Sequence, residues 1–79
     1  MTINTTFGQN LKKLRENQNL TQIEVANALG ISRQSISKWE RDIGLPLVTY
    51  IIPLSKIYCC SVKDFFTVYE RDEGNYEEI

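Results

Sequence analysis

Residues Leu20–Glu40 read L-T-Q-I-E-V-A-N-A-L-G-I-S-R-Q-S-I-S-K-W-E, two short helical patterns with an explicit break between them. Thr21 followed three residues later by Glu24 is a capping box, in which each side chain satisfies a backbone N–H near the other, so a helix is expected to begin at Gln22. Gly30 is the expected stop, because glycine reaches the left-handed conformation that ends a helix without steric cost. Ser32 is placed to cap a second helix, whose apolar face is carried by Ile36 and Trp39. Ile31 is the natural plug beneath the turn.

The run T-Q-I-E-V-A-N-A-L-G-I-S-R-Q-S-I-S-K-W-E-R resembles the helix-turn-helix of the lambda-repressor/Cro type, the XRE family. The glutamine after the cap, the small Ala26, the Gly30 turn, the Ile36 anchor and the Trp39-Glu40 pair carry the resemblance together. It covers roughly residues 7–66. It implies an all-α fold, a five-helix lambda-repressor-like DNA-binding domain whose helices 2 and 3 form the helix-turn-helix.

Seventy-nine residues make one domain with a small core, and an apolar fraction of 42% excludes a disordered chain. No apolar run approaches the ~20 residues needed to span a bilayer. The N-terminus M-T-I-N-T-T lacks a secretory pattern, so a cytoplasmic location is expected. The net charge of −1 hides a division: residues 1–63 carry +4 and residues 64–79 carry −5. A basic body suits a nucleic-acid partner, although a solvated surface with an acidic end produces the same numbers. There is no histidine, and the two cysteines, Cys59 and Cys60, are adjacent. Neighbours rarely bridge and cannot by themselves cage a metal, so both are expected to be reduced, with one packed in the core. No metal or cofactor is expected.

Outward from the central motif, Phe7, Leu11 and Leu14 form one face of a first helix that begins near residues 4–6 and runs to about Asn17. The second helix spans about Gln22–Leu29, with Val25, Ala26 and Leu29 inward and Ile23 outward. Ala26 matters by being small, since a larger side chain would wedge the crossing helices apart. The third spans about Arg33–Arg41. Pro53 argues against a helix that starts at Val48, because proline is comfortable only in a first turn. A loose turn over residues 47–50 and a fourth helix over about Ile51–Tyr58 are therefore expected, with Ile51, Leu54 and Ile57 inward and Tyr58 partly buried. Ser61 caps a fifth helix with Asp64 three residues on, and this helix extends as far as Tyr69 if Thr67-Val68-Tyr69 join it. Residues 70–79 are expected to form an acidic, frayed tail beyond a domain of residues 1–69.

An α-helix fits the major groove of B-DNA, and residues near its N-terminus reach base edges. Gln34 can bond N6 and N7 of adenine, Arg33 and Lys38 can donate to guanine O6 and N7, and Ser37 can touch a base or leave room for a methyl. By resemblance, Arg33, Gln34, Ser37 and Lys38 are the family's readout positions. Phosphate contacts are expected from Thr21, Gln22 and Ser32 at helix N-termini and from Arg41 at the far side. The resemblance also pairs Arg15 with Glu40 as a largely buried ion pair, against the plain alternative of a free surface arginine. Family members often carry glycine where Asp42 stands, and helix-ending glycine or asparagine where Cys59 stands. Aspartate tolerates a left-handed backbone, while Cys59 implies some strain.

Proteins of this resemblance usually bind as homodimers to inverted repeats in double-stranded DNA, with half-sites ~10 bp apart. The candidate dimer surface is Phe65, Phe66, Val68 and Tyr69, since adjacent phenylalanines cannot both point inward from one helix; the plain alternative is that one packs and the other is simply exposed. The leading reading is a sequence-specific DNA-binding regulator, a small repressor in style. The second is a protein-interaction module such as an antitoxin, which binds its partner through the C-terminal face. That reading leaves Arg33, Gln34 and Lys38 without a purpose. With no histidine, no phosphate-binding glycine loop and no paired cleft carboxylates, an enzyme is the least supported.

Overall fold

The computed structural model describes residues 2–72, and four of its five helices begin at a threonine or serine able to hold their first backbone N–H groups. In chain order the elements are β1 (Thr2–Asn4), α1 (Phe7–Asn17), α2 (Gln22–Leu29), α3 (Arg33–Glu40), α4 (Val48–Ile57), α5 (Val62–Phe66) and β2 (Glu70–Asp72). The fold class is all-α, with one short antiparallel ribbon in which Thr2 pairs with Asp72 and Asn4 with Glu70. Thr6 opens α1 through a capping box with Gln9, and Thr21 opens α2 through one with Glu24. Gly30 ends α2 at φ 70°, and the Ile31 N–H returns to the Ala26 carbonyl at 3.0 Å, which turns the chain sharply into α3.

Leu11, Val25, Ala26, Ile36, Leu54, Tyr58 and Phe65 form the core, one or two from each helix, with Phe7, Leu14, Leu20, Trp39 and Cys60 packed around it. The free cysteines divide as their places dictate: Cys60 is half-buried and Cys59 is exposed. Cys59 has φ 54°, in the left-handed region that favours glycine, and thereby turns the chain from α4 towards α5.

Three elements differ from the sequence reading. The fourth helix starts at Val48, not Ile51, and carries Pro53 inside it. The N–H groups of Tyr50 and Ile51 bond to the Leu47 carbonyl at 2.8 and 3.2 Å, and Tyr50 lies against Trp39 with ring centroids 5.7 Å apart. Packing of this first turn outweighs the one backbone hydrogen bond that proline forfeits. Tyr58, expected to be partly buried, is only 2% exposed. The fifth helix ends at Phe66 and Thr67 is extended, because the buried Asn10 amide donates to the carbonyls of Phe65 and Thr67 at 2.9 and 2.7 Å. The segment then returns to the N-terminus, where Thr5 N–H donates to the Tyr69 carbonyl at 2.7 Å. Glu70–Asp72 is thus a paired strand and not part of a free tail. The rest of the expected tail, residues 73–79, lies outside the described residues.

Helix α1 approaches the end of α3 so closely that a Cβ on Gly8 would stand 2.6 Å from the Trp39 carbonyl oxygen and 2.7 Å from that of Glu40. An alanine inside a helix normally stabilises it over glycine by ~0.5–1 kcal/mol. Gly8→Ala is expected to reverse that sign and destabilise the fold by about 1–3 kcal/mol, the range for overpacking. Urea unfolding beside a surface-helix alanine control measures it.

Candidate nucleic-acid interface

The outer face of α3 presents Arg33, Gln34 and Lys38 to solvent, and none of the three makes a side-chain hydrogen bond among the described residues. Their helix is held from behind by Ile36, which is 1% exposed, and at its start by Ser32, whose hydroxyl accepts from the Ser35 N–H at 3.3 Å. Ser37 differs from its neighbours. It is half-buried, and its hydroxyl and carbonyl both accept from Nε of Arg41, at 3.2 and 3.3 Å. The structure therefore joins Ser37 to Arg41 as a pair at the end of α3, where the sequence reading had treated one as a base contact and the other as a phosphate contact.

The start of α2 is organised by the buried ion pair. Arg15 Nε donates to Glu40 Oε2 at 2.7 Å and Nη2 to Oε1 at 3.1 Å, with side-chain exposures of 10% and 2%. The third arm, Nη1, donates to the Leu20 carbonyl at 2.7 Å. Gln22 Nε2 donates to Glu40 Oε1 at 2.9 Å. One amide N–H of Gln22 is thus already committed to Glu40, while the other has no partner among the described residues. The hydrogen bonds to Glu40 raise the Arg15 pKa further above its ordinary value against the opposing effect of burial. Beside this pair the buried Tyr58 phenol is pushed up, first by burial and then by the charge of Glu40. Thr21, exposed at the cap of α2, exchanges hydrogen bonds with Glu24 at 2.8 and 3.1 Å.

Asp42 has a role that its sequence position concealed. At φ 61° it takes the left-handed backbone expected of it. Its carboxylate also accepts from the Thr6 hydroxyl at 2.6 Å and the Gly8 N–H at 2.8 Å. The loop after α3 therefore caps α1, which anchors Arg41 to the scaffold. Nothing local in the sequence joins Asp42 to Thr6, which lies 36 residues upstream.

The candidate dimer residues separate. Phe65 is 0% exposed and belongs to the core, so it is withdrawn from the proposed surface. Phe66 is 54% exposed and tilts against Phe7 with centroids 5.0 Å apart, and Val68 and Tyr69 are also exposed. Among the described residues no helix is long and apolar enough to cross a membrane.

The sequence over residues 11–65, which holds α2, the Gly30 turn and α3, matches a family model described as Helix-turn-helix. This chain belongs to the XRE-type helix-turn-helix family. Its five helices form a lambda-repressor-like domain. Among its relatives, the HTH-type transcriptional regulator DicA of Escherichia coli is 40% identical over 60 residues, covering 76% of this chain and 44% of DicA. The HTH-type transcriptional activator BcrR of Enterococcus faecalis is 34% identical over 61 residues, 77% of this chain and 30% of BcrR. An uncharacterised HTH-type transcriptional regulator of Methanocaldococcus jannaschii is 36% identical over 63 residues, 80% of this chain and 94% of that protein. The chain thus spans less than half of BcrR and DicA.

Truncating either partner of the ion pair strands a charge in the interior. Arg15→Ala or Glu40→Ala is expected to cost about 3–5 kcal/mol in urea unfolding, and the double variant Arg15→Met/Glu40→Leu markedly less than the two singles together. The phenol yields a pH test. Below the ordinary value of 10.0 Tyr58 is protonated in both folded and unfolded chains. Above it the unfolded chain ionises first, so stability falls as pH rises towards the higher folded value. Between pH 9 and 11, as about the window set by phenol ionisation, wild-type stability is expected to fall more steeply than that of Tyr58→Phe.

Proposed function

We propose that this chain is a sequence-specific double-stranded DNA-binding transcriptional regulator, with α3 in the major groove. The observation that carries the reading is the contrast on α3: a buried, braced inner face, and an outer row of Arg33, Gln34 and Lys38 without hydrogen-bond partners among the described residues. Side chains with unused donors on a fixed helix suit base-edge recognition, arginine and lysine on guanine and glutamine on adenine. Thr21, the second amide N–H of Gln22, Ser32 and Arg41 flank that row as phosphate contacts that set register. Ser37 acts at the end of the row together with Arg41. We further propose a homodimer on an inverted-repeat operator, since one domain reads only a few base pairs. Repression is the proposed sign: occupying an operator requires DNA binding alone, whereas activation also requires a surface for the transcription machinery.

Selection from a random-sequence duplex pool at two salt concentrations tests this. Wild type is expected to enrich an inverted repeat. Arg33→Ala/Gln34→Ala is expected to lose ~30- to 20,000-fold in affinity for it, two bidentate base contacts at ~1–3 kcal/mol each, while its salt dependence changes little. Arg41→Ala should weaken all duplexes alike and reduce the salt slope by about one phosphate. Equal, low-salt-only binding of every duplex by wild type and variant would refute specific readout.

A further inference from the structure

Three non-glycine residues among those described take a positive φ: Asn19 at 57°, Asp42 at 61° and Cys59 at 54°. Asparagine and aspartate adopt that region readily, and Asp42 is held there by its bonds to Thr6 and Gly8. Cysteine has no such preference, and glycine makes the same turn without strain. A side chain kept in a strained conformation points to a use for it. The thiol of Cys59 is exposed, and its neighbour Cys60 is half-buried against the core. Burial first, then the charges of Asp64 and Cys59, push the Cys60 thiol up, which places the two thiols within each other's field. Neither takes part in the proposed DNA interface.

What two adjacent thiols can hold follows from their spacing. A trans peptide fixes neighbouring Cα atoms about 3.8 Å apart, below the ~4.4 Å at which relaxed disulfides begin. A direct S–S bond is therefore strained. A single atom set between the sulfurs, about 2.3 Å from each as in a zinc thiolate, relieves much of that strain. Zinc itself is a poor occupant. It takes four ligands, and among the described residues no three Cys, His, Asp or Glu side chains converge. A soft centre that needs only two thiolates fits the pair. Trivalent arsenic bearing one organic group is such a centre.

We propose that Cys59 and Cys60 form a two-thiol capture site for a monosubstituted trivalent arsenical, and that its filling is passed to the helix-turn-helix through Tyr58. The reaction balances without an oxidant or a reductant. The hydrated arsenical carries two hydroxyls on arsenic; the exposed Cys59 displaces one and Cys60 the other. Two As–S bonds form and two As–O bonds break. Each hydroxyl leaves as water with a thiol proton, and arsenic stays trivalent. Closing the chelate draws the Cys60 side chain from its packing towards Cys59. Tyr58 directly precedes the pair and is 2% exposed. Its ring stands edge-on to Phe65 with centroids 6.2 Å apart, and its phenol lies beside the Arg15–Glu40 pair. Moving the turn therefore moves the phenol against the clamp that orients α3. Capture is independent of the DNA reading; its effect on duplex binding rests on it.

The test titrates phenylarsine oxide into the full chain, kept reduced by a phosphine, for wild type, Cys59→Gly and Cys60→Ser. Glycine suits the positive φ, so Cys59→Gly is expected to melt no lower than wild type. Intact mass is expected to show one phenylarsine per wild-type chain, retained in excess monothiol and removed by a 1,2-dithiol. The second thiol acts at high effective concentration, so either variant is expected to bind at least ~100-fold more weakly. Loaded wild type is expected to melt lower than the unloaded chain, because the unfolded chain holds the arsenical without disturbing any packing. It should also lose at least ~10-fold in affinity for its selected duplex, within the usual range of coupling between two sites. Cys59→Gly should be unmoved by the reagent in both measurements. Two arsenicals per wild-type chain, or an adduct that monothiol strips from wild type as readily as from the variants, would overturn the capture site. A loaded chain that melts and binds duplex as before would overturn the link through Tyr58. If no protein binds any specific duplex, the operator reading falls, while mass and melting still decide this proposal.

Discussion

The guanidinium of Arg15 gathers three parts of the chain at one point. It holds Glu40 at the end of α3 through two bonds and the Leu20 carbonyl ahead of α2 through a third, while Gln22 on α2 donates to the same Oε1 of Glu40 that Nη2 holds. The helix-turn-helix is thus clamped at its beginning and its end by a residue on the preceding helix. Desolvating both charges offsets much of the attraction, so the pair adds little to net stability. Its effect is geometric. A planar fork on a carboxylate admits few arrangements, which sets how α3 lies against α1 and keeps the outer row of α3 at one angle to any surface it meets.

Helix α1 is the frame for the rest. Asn10 grips the end of α5, and Gly8 permits the backbones of α1 and α3 to meet. Asp42 returns from the loop to cap the N-terminus of α1. Each contact uses a polar or absent side chain where apolar packing would leave backbone groups buried without partners. In so small a core, this polar stitching specifies one arrangement of helices, while seven buried apolar residues supply the driving force.

What was legible in the sequence follows that division. Thr21, Glu24, Gly30 and Ser32 act on neighbours within three or four residues, so the turn and both its helices could be read directly. The pairing of Arg15 with Glu40 came from family resemblance, since nothing local joins residues twenty-five apart. Asn10 and Gly8 drew no reading, and Asp42 only that of a tolerated left-handed turn, because each acts on a backbone group more than thirty residues away. Pro53 misled for a related reason. Its local penalty is real, yet the Tyr50–Trp39 packing that outweighs it is tertiary. Glu70–Asp72 read as a solvated acidic run, and only its pairing with Thr2–Asn4, at the opposite end of the chain, makes it a strand.

The recognition surface proposed for α3 combines two kinds of side chain. Among the described residues Arg33, Gln34 and Lys38 have no hydrogen-bond partner, and in the proposed complex each loses rotamer freedom, about 0.5–1.5 kcal/mol for a side chain of this kind. That loss is tolerable only where correct hydrogen bonds offset it. On a wrong sequence the same side chains would be ordered or desolvated for nothing, which sharpens discrimination. Arg41 is already held by Ser37, on a loop anchored through Asp42. In the proposed complex it would lose less freedom on meeting a phosphate, whatever the sequence. On that proposal, loose side chains on a rigid helix for the bases, and a braced arginine for the backbone, divide the interface into a part that selects and a part that aligns.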